Sequence, residues 1–238
     1  MKSLRIAGAI AFSLLGFFLN PGYGQERFQA NINFMLGFPQ GGFKNNIDRT
    51  AIGGSADFLL RLPRSPFLVG ASMAFMNYGC ESREEFFSPD IPEVLVDVAT
   101  SNNIFHAHFL FRFQPLYGPV QPYIEGLLGV NHFYTETAVY NQEYDEDDEI
   151  ARTVNLQDTV FSYGAGAGVM IYLLGFTPHG RSVGQGLYLD LGLLYLKGGR
   201  AEYMREGDLV RGDGFVEYYV RESKTDLVKT FIGLTFAF

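Results

Sequence analysis

Eight segments of period-two alternation, connections that run alternately short and long, and an aromatic strand reaching the final residue together predict an all-β fold. The architecture they point to is an eight-stranded antiparallel up-and-down transmembrane β-barrel with short periplasmic turns and long extracellular loops. The closing segment, Thr225 to Phe238 (TDLVKTFIGLTFAF), puts Val228, Ile232, Leu234, Phe236 and Phe238 on one parity. Lys229, Gly233, Thr235 and Ala237 fall on the other. A strand of this kind suits a barrel that pairs its last strand with its first and so leaves no free edge.

Composition agrees. In 238 residues, 47% are hydrophobic and 16% aromatic, with 23 Phe, 14 Tyr and no Trp; Gly is abundant at 28 and charged residues make up 18%. Such a chain is rich in strand and turn formers. Beyond the N-terminus no stretch approaches the ~18 apolar residues of a membrane helix. The single cysteine, Cys80, rules out an internal disulfide framework. A formal charge of −8 argues against a nucleic-acid partner.

Residues 1–24 are expected to be a signal peptide. Lys2 and Arg5 form a basic start, Ile6 to Leu19 an apolar run too short to span a bilayer, and Gly22-Tyr23-Gly24 a small-residue cleavage point before Gln25. Removing Lys2 and Arg5 takes the formal charge from −8 to −10. Residues 25–238 are then one barrel domain.

Each strand carries its own alternation. Phe28 to Phe38 sets Phe28, Ala30, Ile32, Phe34 and Leu36 against Gln29, Asn31 and Asn33. Ala51 to Leu62 sets Ile52, Ala56, Phe58 and Leu60 against Ser55, Asp57 and Arg61. A tight turn, Pro63 to Pro66, leads to Phe67 to Asn77, where Val69, Ala71, Met73 and Phe75 share a face. After a long polar segment (Tyr78 to Asn103), Ile104 to Gln114 sets Phe105, Ala107, Phe109, Phe111 and Phe113 against His106, His108 and Arg112. The short turn Pro115 to Gly118 joins Val120 to Tyr134, with Ile124, Leu128 and Val130 opposite Glu125, Gly129 and Asn131. A second long segment (Thr135 to Asp158) precedes Thr159 to Leu173, whose second face is Ser162 and three glycines. Leu187 to Lys197 sets five apolar residues against Tyr188, Asp190 and Gly192, and a third long segment (Gly198 to Lys224) leads to the final strand. Each strand is about ten residues, the length a tilted membrane strand needs.

In lipid every N–H and C=O must be paired within the protein, so a spanning sheet has to close. The apolar parity then faces lipid, and the small or polar parity fills an interior just wide enough for side chains. The rival is a soluble periplasmic or secreted barrel with its apolar parity inward, since alternation alone fits both. Aromatics near strand ends, loop lengths that alternate by end, and glycine rather than Lys and Glu on the second face favour the membrane.

The hairpin FRFQPLYGPVQPYIEGLLGVN (Phe111 to Asn131), the strand LYLDLGLLYLKGG (Leu187 to Gly199) and the ending FIGLTFAF (Phe231 to Phe238) resemble the small outer-membrane β-barrel family of Bacteroidota-type bacteria, broadly OmpA-barrel-like. The resemblance implies a cell outer membrane location, contact with outer-membrane lipid and lipopolysaccharide, and insertion by the barrel assembly machinery reading Phe238. It implies no particular activity. The absence of Trp departs from the usual girdle, so Tyr and Phe would serve there.

Several residue sets carry chemistry. Arg112 and Glu125 flank one short turn on the interior parity and are expected to form an interior ion pair of structural role. His106 and His108 have a chelating spacing but no evident third ligand, so interior hydrogen bonding is expected and no metal. The bunched acids Glu143 to Glu149 could hold Ca²⁺ but lack ordered ligand spacing; a solvated loop is preferred. Arg211-Gly212-Asp213 is a candidate binding tripeptide at a loop tip, where a charged turn is the plainer reading. Cys80 is either free or paired between molecules. No nucleophile–base–acid set and no G-x-S-x-G elbow is found, and His132 and His179 show no such partners in the sequence. The sequence reading is therefore a monomeric, non-enzymatic outer-membrane barrel without a cofactor, with an envelope-structural role or a surface-interaction role through its extracellular loops; the alternatives are a lipid-modifying outer-membrane enzyme and a soluble periplasmic or secreted ligand-binding barrel.

Overall fold

The computed structural model describes residues 27–88, 91–115, 118–141, 149–175, 185–212 and 215–238. The expected signal peptide lies outside them, as do residues 142–148 of the acidic segment, His179 and Asp213. In chain order the elements are β1 (Phe28–Pro39), α1 (Gly41–Asn46), β2 (Ala51–Arg61), β3 (Phe67–Ser88), β4 (Ile91–Phe113), β5 (Val120–Asn141), β6 (Glu149–Leu174) and β7 (Gly186–Gly198). Then come β8 (Arg200–Tyr203), β9 (Leu209–Gly212), β10 (Phe215–Tyr218), β11 (Arg221–Lys224) and β12 (Leu227–Ala237). Strands β1 to β7 and β12 form a closed antiparallel barrel of eight strands, each beside its sequence neighbour, with β12 pairing both β7 and β1.

The β1–β12 seam is continuous, from Gln29 opposite Ala237 to Pro39 opposite Leu227, with no slip in register. It is tied at the chain's end, where Phe238 N donates to Phe28 O (2.9 Å) and Arg27 N donates to Phe238 O (2.6 Å). The Phe238 ring also lies 6.4 Å from that of Phe28.

Alternation resolves into inside and outside. Ile32 is 66% exposed while its neighbours Asn31 and Asn33 are buried, and the pattern holds around the ring with Phe58, Met73, Phe109, Ile124, Phe161 and Leu193 outward. An apolar exterior around a buried interior that holds the polar parity together with apolar side chains such as Leu59, Leu110 and Met170 is a transmembrane barrel turned the way lipid requires. The outward band has a defined ceiling: Phe38, Ile52, Phe75, Phe105, Val130, Phe161, Tyr195 and Val228. The next position of the same parity on each of those strands is polar, namely Gln40, Thr50, Asn77, Asn103, His132, Thr159, Lys197 and Asp226, with Asn103 itself buried and bonded by Asn77. That collar marks where hydrocarbon gives way to head groups at the long-loop end.

Close packing inside depends on glycine at two places. A Cβ on Gly168 would strike the Tyr123 ring and one on Gly192 the Phe231 ring, so each aromatic lies flat over a strand that has no side chain there.

The structure corrects the expected strand lengths. Strands β3, β4, β5 and β6 are 22, 23, 22 and 26 residues long, not about ten. Much of the supposed long loops is strand: pairing of β3 with β4 continues to Ser88 and Ile91, and β4 with β5 to Val96 and Asn141. Beyond the collar the described outward positions include Ser82, Glu84, Asp97, Ser101, Glu136 and Arg152 while Val96 and Val98 are buried on the other face, so the apolar-out alternation that marks a membrane strand stops while the hydrogen bonding does not. Bulges at Asn77/Gly79 and at Thr135/Glu136 mark the change. The last long segment is also structured, with β8 paired to β11 and β9 to β10.

The long-loop mouth is capped by an aromatic cluster. Helix α1 inserts Phe43, which is buried, among Tyr203 (ring centroids 5.0 Å), Phe133 (5.8 Å) and Tyr78 (6.1 Å). Its rim is hydrogen-bonded: Tyr78 OH donates to Met204 O (3.0 Å) and Asn46 Nδ2 to Tyr203 OH (2.9 Å).

Removing Phe238 takes away its three seam-end backbone hydrogen bonds, the two above and that from Phe28 N to Phe238 O (3.2 Å), and the ring contact. Its deletion is expected to lower the amount of assembled barrel, read by surface labelling, more than deleting any one loop does. Unchanged surface levels would break the seam's role in assembly.

Candidate functional site

The lumen holds its polar side chains in three layers. Nearest the short-turn end, Gln29 Nε2 donates to Gln114 Oε1 (3.3 Å) and Gln121 Nε2 to Tyr188 OH (3.2 Å), with Gln114 Nε2 linked to Gln121 Oε1 between them. Arg61 Nη1 donates to Gln114 O (3.3 Å).

Above lies the charged layer. Arg112 on β4 and Glu125 on β5 are directly opposite in register because the short turn between them fixes it. Arg112 donates through Nε (3.0 Å) and Nη2 (2.8 Å) to Glu125 Oε2, and its Nη1 lies 4.0 Å from Asp190 Oδ2. The guanidinium carbon sits 3.9 Å over the Tyr123 ring, and Tyr123 OH donates to Asp190 Oδ1 (2.7 Å). Asp190 Oδ2 also accepts from Thr235 Oγ1 (3.2 Å) and Asn31 Nδ2 (3.4 Å), while Asn33 Nδ2 donates to Asp57 Oδ2 (3.2 Å). Among the described residues the buried charges of the lumen are three carboxylates (Asp57, Glu125, Asp190) and three cations (Arg61, Arg112, Lys229). A balanced set removes the self-repulsion that a single-signed interior would carry in low dielectric.

In the third layer His106 Nδ1 meets Asn131 Oδ1 (2.8 Å), His108 Nε2 meets Ser162 Oγ (2.7 Å), and Ser162 Oγ donates to Asn131 Oδ1 (2.8 Å). With its hydroxyl proton on Asn131, Ser162 accepts from His108. The two imidazoles therefore turn to different partners rather than to one shared point, and among the described residues no cluster of His, Cys, Asp or Glu has the makings of a metal site.

Outside the barrel lies a second constellation that sequence reasoning missed. His132 faces outward on the collar and its Nδ1 meets Thr159 Oγ1 at 2.8 Å; its ring stacks on Tyr134 (5.6 Å, 27°). Together with Phe105, Val154 and Gln157 they line a groove of about 360 Å³. The only signal for it is cross-strand register, His132 opposite Thr159, which sequence spacing does not reveal. Among the described residues no carboxylate hydrogen-bonds to His132. Asp158, the nearest acid in sequence to Thr159, accepts instead from the backbone N–H of Thr159 (2.7 Å) and of Glu202 (2.8 Å).

At the mouth, Asn46, Asp48, Arg49, Glu81, Arg205 and Glu206 border a cleft of about 450 Å³. Arg49 pairs with Glu206, and Gly207 N donates to Glu81 Oε2 (3.0 Å). The turn beside it is knotted by Asp208, which accepts from Arg221 Nε (2.6 Å) and Nη2 (2.8 Å) and from Arg205 N (3.0 Å). Burial pushes the Asp208 carboxyl up, but the Arg221 and Arg205 hydrogen bonds and charges outweigh it and hold the group below the usual carboxylate range. Of the tripeptide, Arg211 and Gly212 lie on β9 in the hairpin with β10, and Asp213 is outside the described residues. The backbone of Glu149 opens β6, and Cys80 is free and exposed on β3.

Three solved structures are similar in fold. Neisserial surface protein A aligns at 13% identity over 89% of this chain and 96% of its own, with a TM-score of 0.37. A major outer membrane protein from Thermus thermophilus aligns at 12% over 89% and 99% (TM-score 0.47), and the N-terminal β-barrel domain of Pseudomonas aeruginosa OprF at 15% over 90% and 100% (TM-score 0.34). No protein-family model and no curated protein sequence matches the chain.

Replacing Glu125 by Ala strands the Arg112 charge inside the barrel, with Asp190 only at 4.0 Å. The expected loss is about 3–5 kcal/mol in urea unfolding from lipid vesicles; stability equal to the parent would contradict the pairing.

Asp208 has a depressed carboxyl, so its contribution to loop order is full above the unfolded value of about 3.9 and fades as pH falls through the lower folded value. Asp208→Asn is expected to bring that loss to neutral pH, seen as faster proteolysis within residues 205–221 while the barrel stays intact. Unchanged cleavage would show that the knot does not hold the loop.

Proposed function

We propose that the chain is an outer-membrane barrel that neither passes solute nor catalyses a reaction, and that it holds a rigid interaction surface outside the cell. The observation that carries this is the lumen, filled across three levels by side chains hydrogen-bonded to one another and closed at the mouth by Phe43 and its aromatic neighbours. A water-filled pathway would have to break paired groups at each level. The wall formed by β3 to β6 above the collar supports the second half of the reading, since a platform of continuous strands positions binding side chains more firmly than a loop does.

On this reading the short-turn end is periplasmic, with Phe238 available there to the barrel assembly machinery. The monomer meets outer-membrane lipid along its apolar band, and the mouth cleft with the β9–β10 hairpin meets a surface ligand. The resemblance to small outer-membrane barrels supports the location. A cut through residues 205–214 would remove Arg205 and Asp208, which hold the turn, so the binding test is confined to Arg211→Ala with Asp213→Ala.

Cell fractionation followed by a gel with and without heating tests the reading. The protein is expected in the outer-membrane fraction, with migration that changes on heating, and with no conductance steps when reconstituted in planar bilayers. Recovery as a soluble periplasmic protein, or steady ion conductance, would overturn it.

A further inference from the structure

We propose that the outward groove at His132 binds the sugar head group of an outer-leaflet glycolipid. The inference rests on the membrane orientation given above and adds a ligand class to it.

Position decides that the occupant is an amphiphile. His132 and Thr159 stand on the polar collar, directly above Val130 and Phe161, which are outward and apolar. Phe105, paired with His132 in register, lines the groove from the band itself. A ligand resting here has its head at the level of His132 and Tyr134 and its hydrocarbon along Phe105, Val130 and Phe161. Polar side chains on a lipid-facing surface are costly in hydrocarbon, so at this height they point to head-group contact.

Chemistry decides the head group. The near-parallel His132 and Tyr134 rings both line the groove and offer aromatic carbon to the C–H face of a pyranose, and the Thr159 hydroxyl holds the imidazole before any ligand arrives. Partners for sugar hydroxyls are at hand: the Gln157 amide lines the groove, and Glu136 lies two residues beyond Tyr134 on the same parity. Glu136 is joined by Arg152 (3.2 Å) and Ser101 (3.5 Å). The Arg152 charge is thus already matched by Glu136, which suits a polyhydroxylated head better than a simple anionic phosphate. A groove of about 360 Å³ is of the size that small-ligand sites have.

Native mass spectrometry of the full mature chain in detergent tests this, with rough-type lipopolysaccharide and phosphatidylglycerol as the two probes. The glycolipid is expected to stay bound in preference to the phospholipid. His132→Ala combined with Tyr134→Ala should cut glycolipid occupancy about tenfold. Ile32→Ala combined with Phe34→Ala, equally outward but within the apolar band, should not. A heat-dependent gel shift establishes that each variant is a folded barrel. Unchanged occupancy in the groove variant, equal retention of both lipids, or glycolipid returned short of an acyl chain would each overturn the proposal. The last of these would make the His132–Thr159 pair hydrolytic instead. Failure of the location reading is seen separately, as parent protein recovered soluble without detergent.

Discussion

The structure depends on one constraint: in a bilayer no backbone N–H or C=O can be left to water, so the sheet must close. Closure happens between β1 and β12, eleven residue pairs without a slip, finished by the Phe238 and Phe28 backbone exchange. Once the ring is shut, strand pleat alone sorts the side chains. Outward positions in the span are apolar apart from Thr230, and the polar side chains on the inward parity are gathered against one another within a lumen only a few side chains wide. The charge-balanced network follows from that confinement. Arg112 is acceptable inside because Glu125, Asp190 and the Tyr123 ring surround it, and Asp190 because Tyr123, Thr235 and Asn31 do.

The same constraint explains where regularity ends. Below the collar the barrel is a full ring. Above it β3 to β6 continue as a wall while β1, β2, β7 and β12 stop. Water can satisfy the exposed edges there, so an open sheet becomes tolerable. The gap left opposite the wall is filled by α1 and the β8–β11 and β9–β10 ribbons. Those elements are held by side-chain contacts, Phe43 in its aromatic nest and Asp208 on Arg221, rather than by the barrel's ladder.

Much of this was legible in the sequence, for identifiable reasons. The spanning strands could be read because lipid forces an apolar residue at every second position, as in Phe105 to Phe113. The Arg112–Glu125 contact could be read because a short turn fixes the register on either side of it. Asp190 could be placed inside by parity, yet its partners Tyr123, Asn31 and Thr235 come from three other strands, and nothing local in the chain links them. The extensions of β3 to β6 were hidden because strand without lipid carries no apolar alternation. Phe43 follows Gly41 and Gly42 with no alternation around it, and only the folded mouth gives it a role. The His132–Thr159 pair was missed because the two residues are twenty-seven apart and meet through strand register.

The central claim is that the apolar parity faces lipid while the polar parity is sealed inside. The chain contains no Trp, so a single introduced Trp reports without background. In vesicles of brominated lipid, Leu128→Trp and Phe109→Trp, both outward in mid-band, are expected to be strongly quenched by bromines deep in the acyl chains. Trp in place of Tyr134, above the collar, should be quenched only by bromines near the head groups. Emission from Leu128→Trp that is indifferent to brominated lipid would contradict the account.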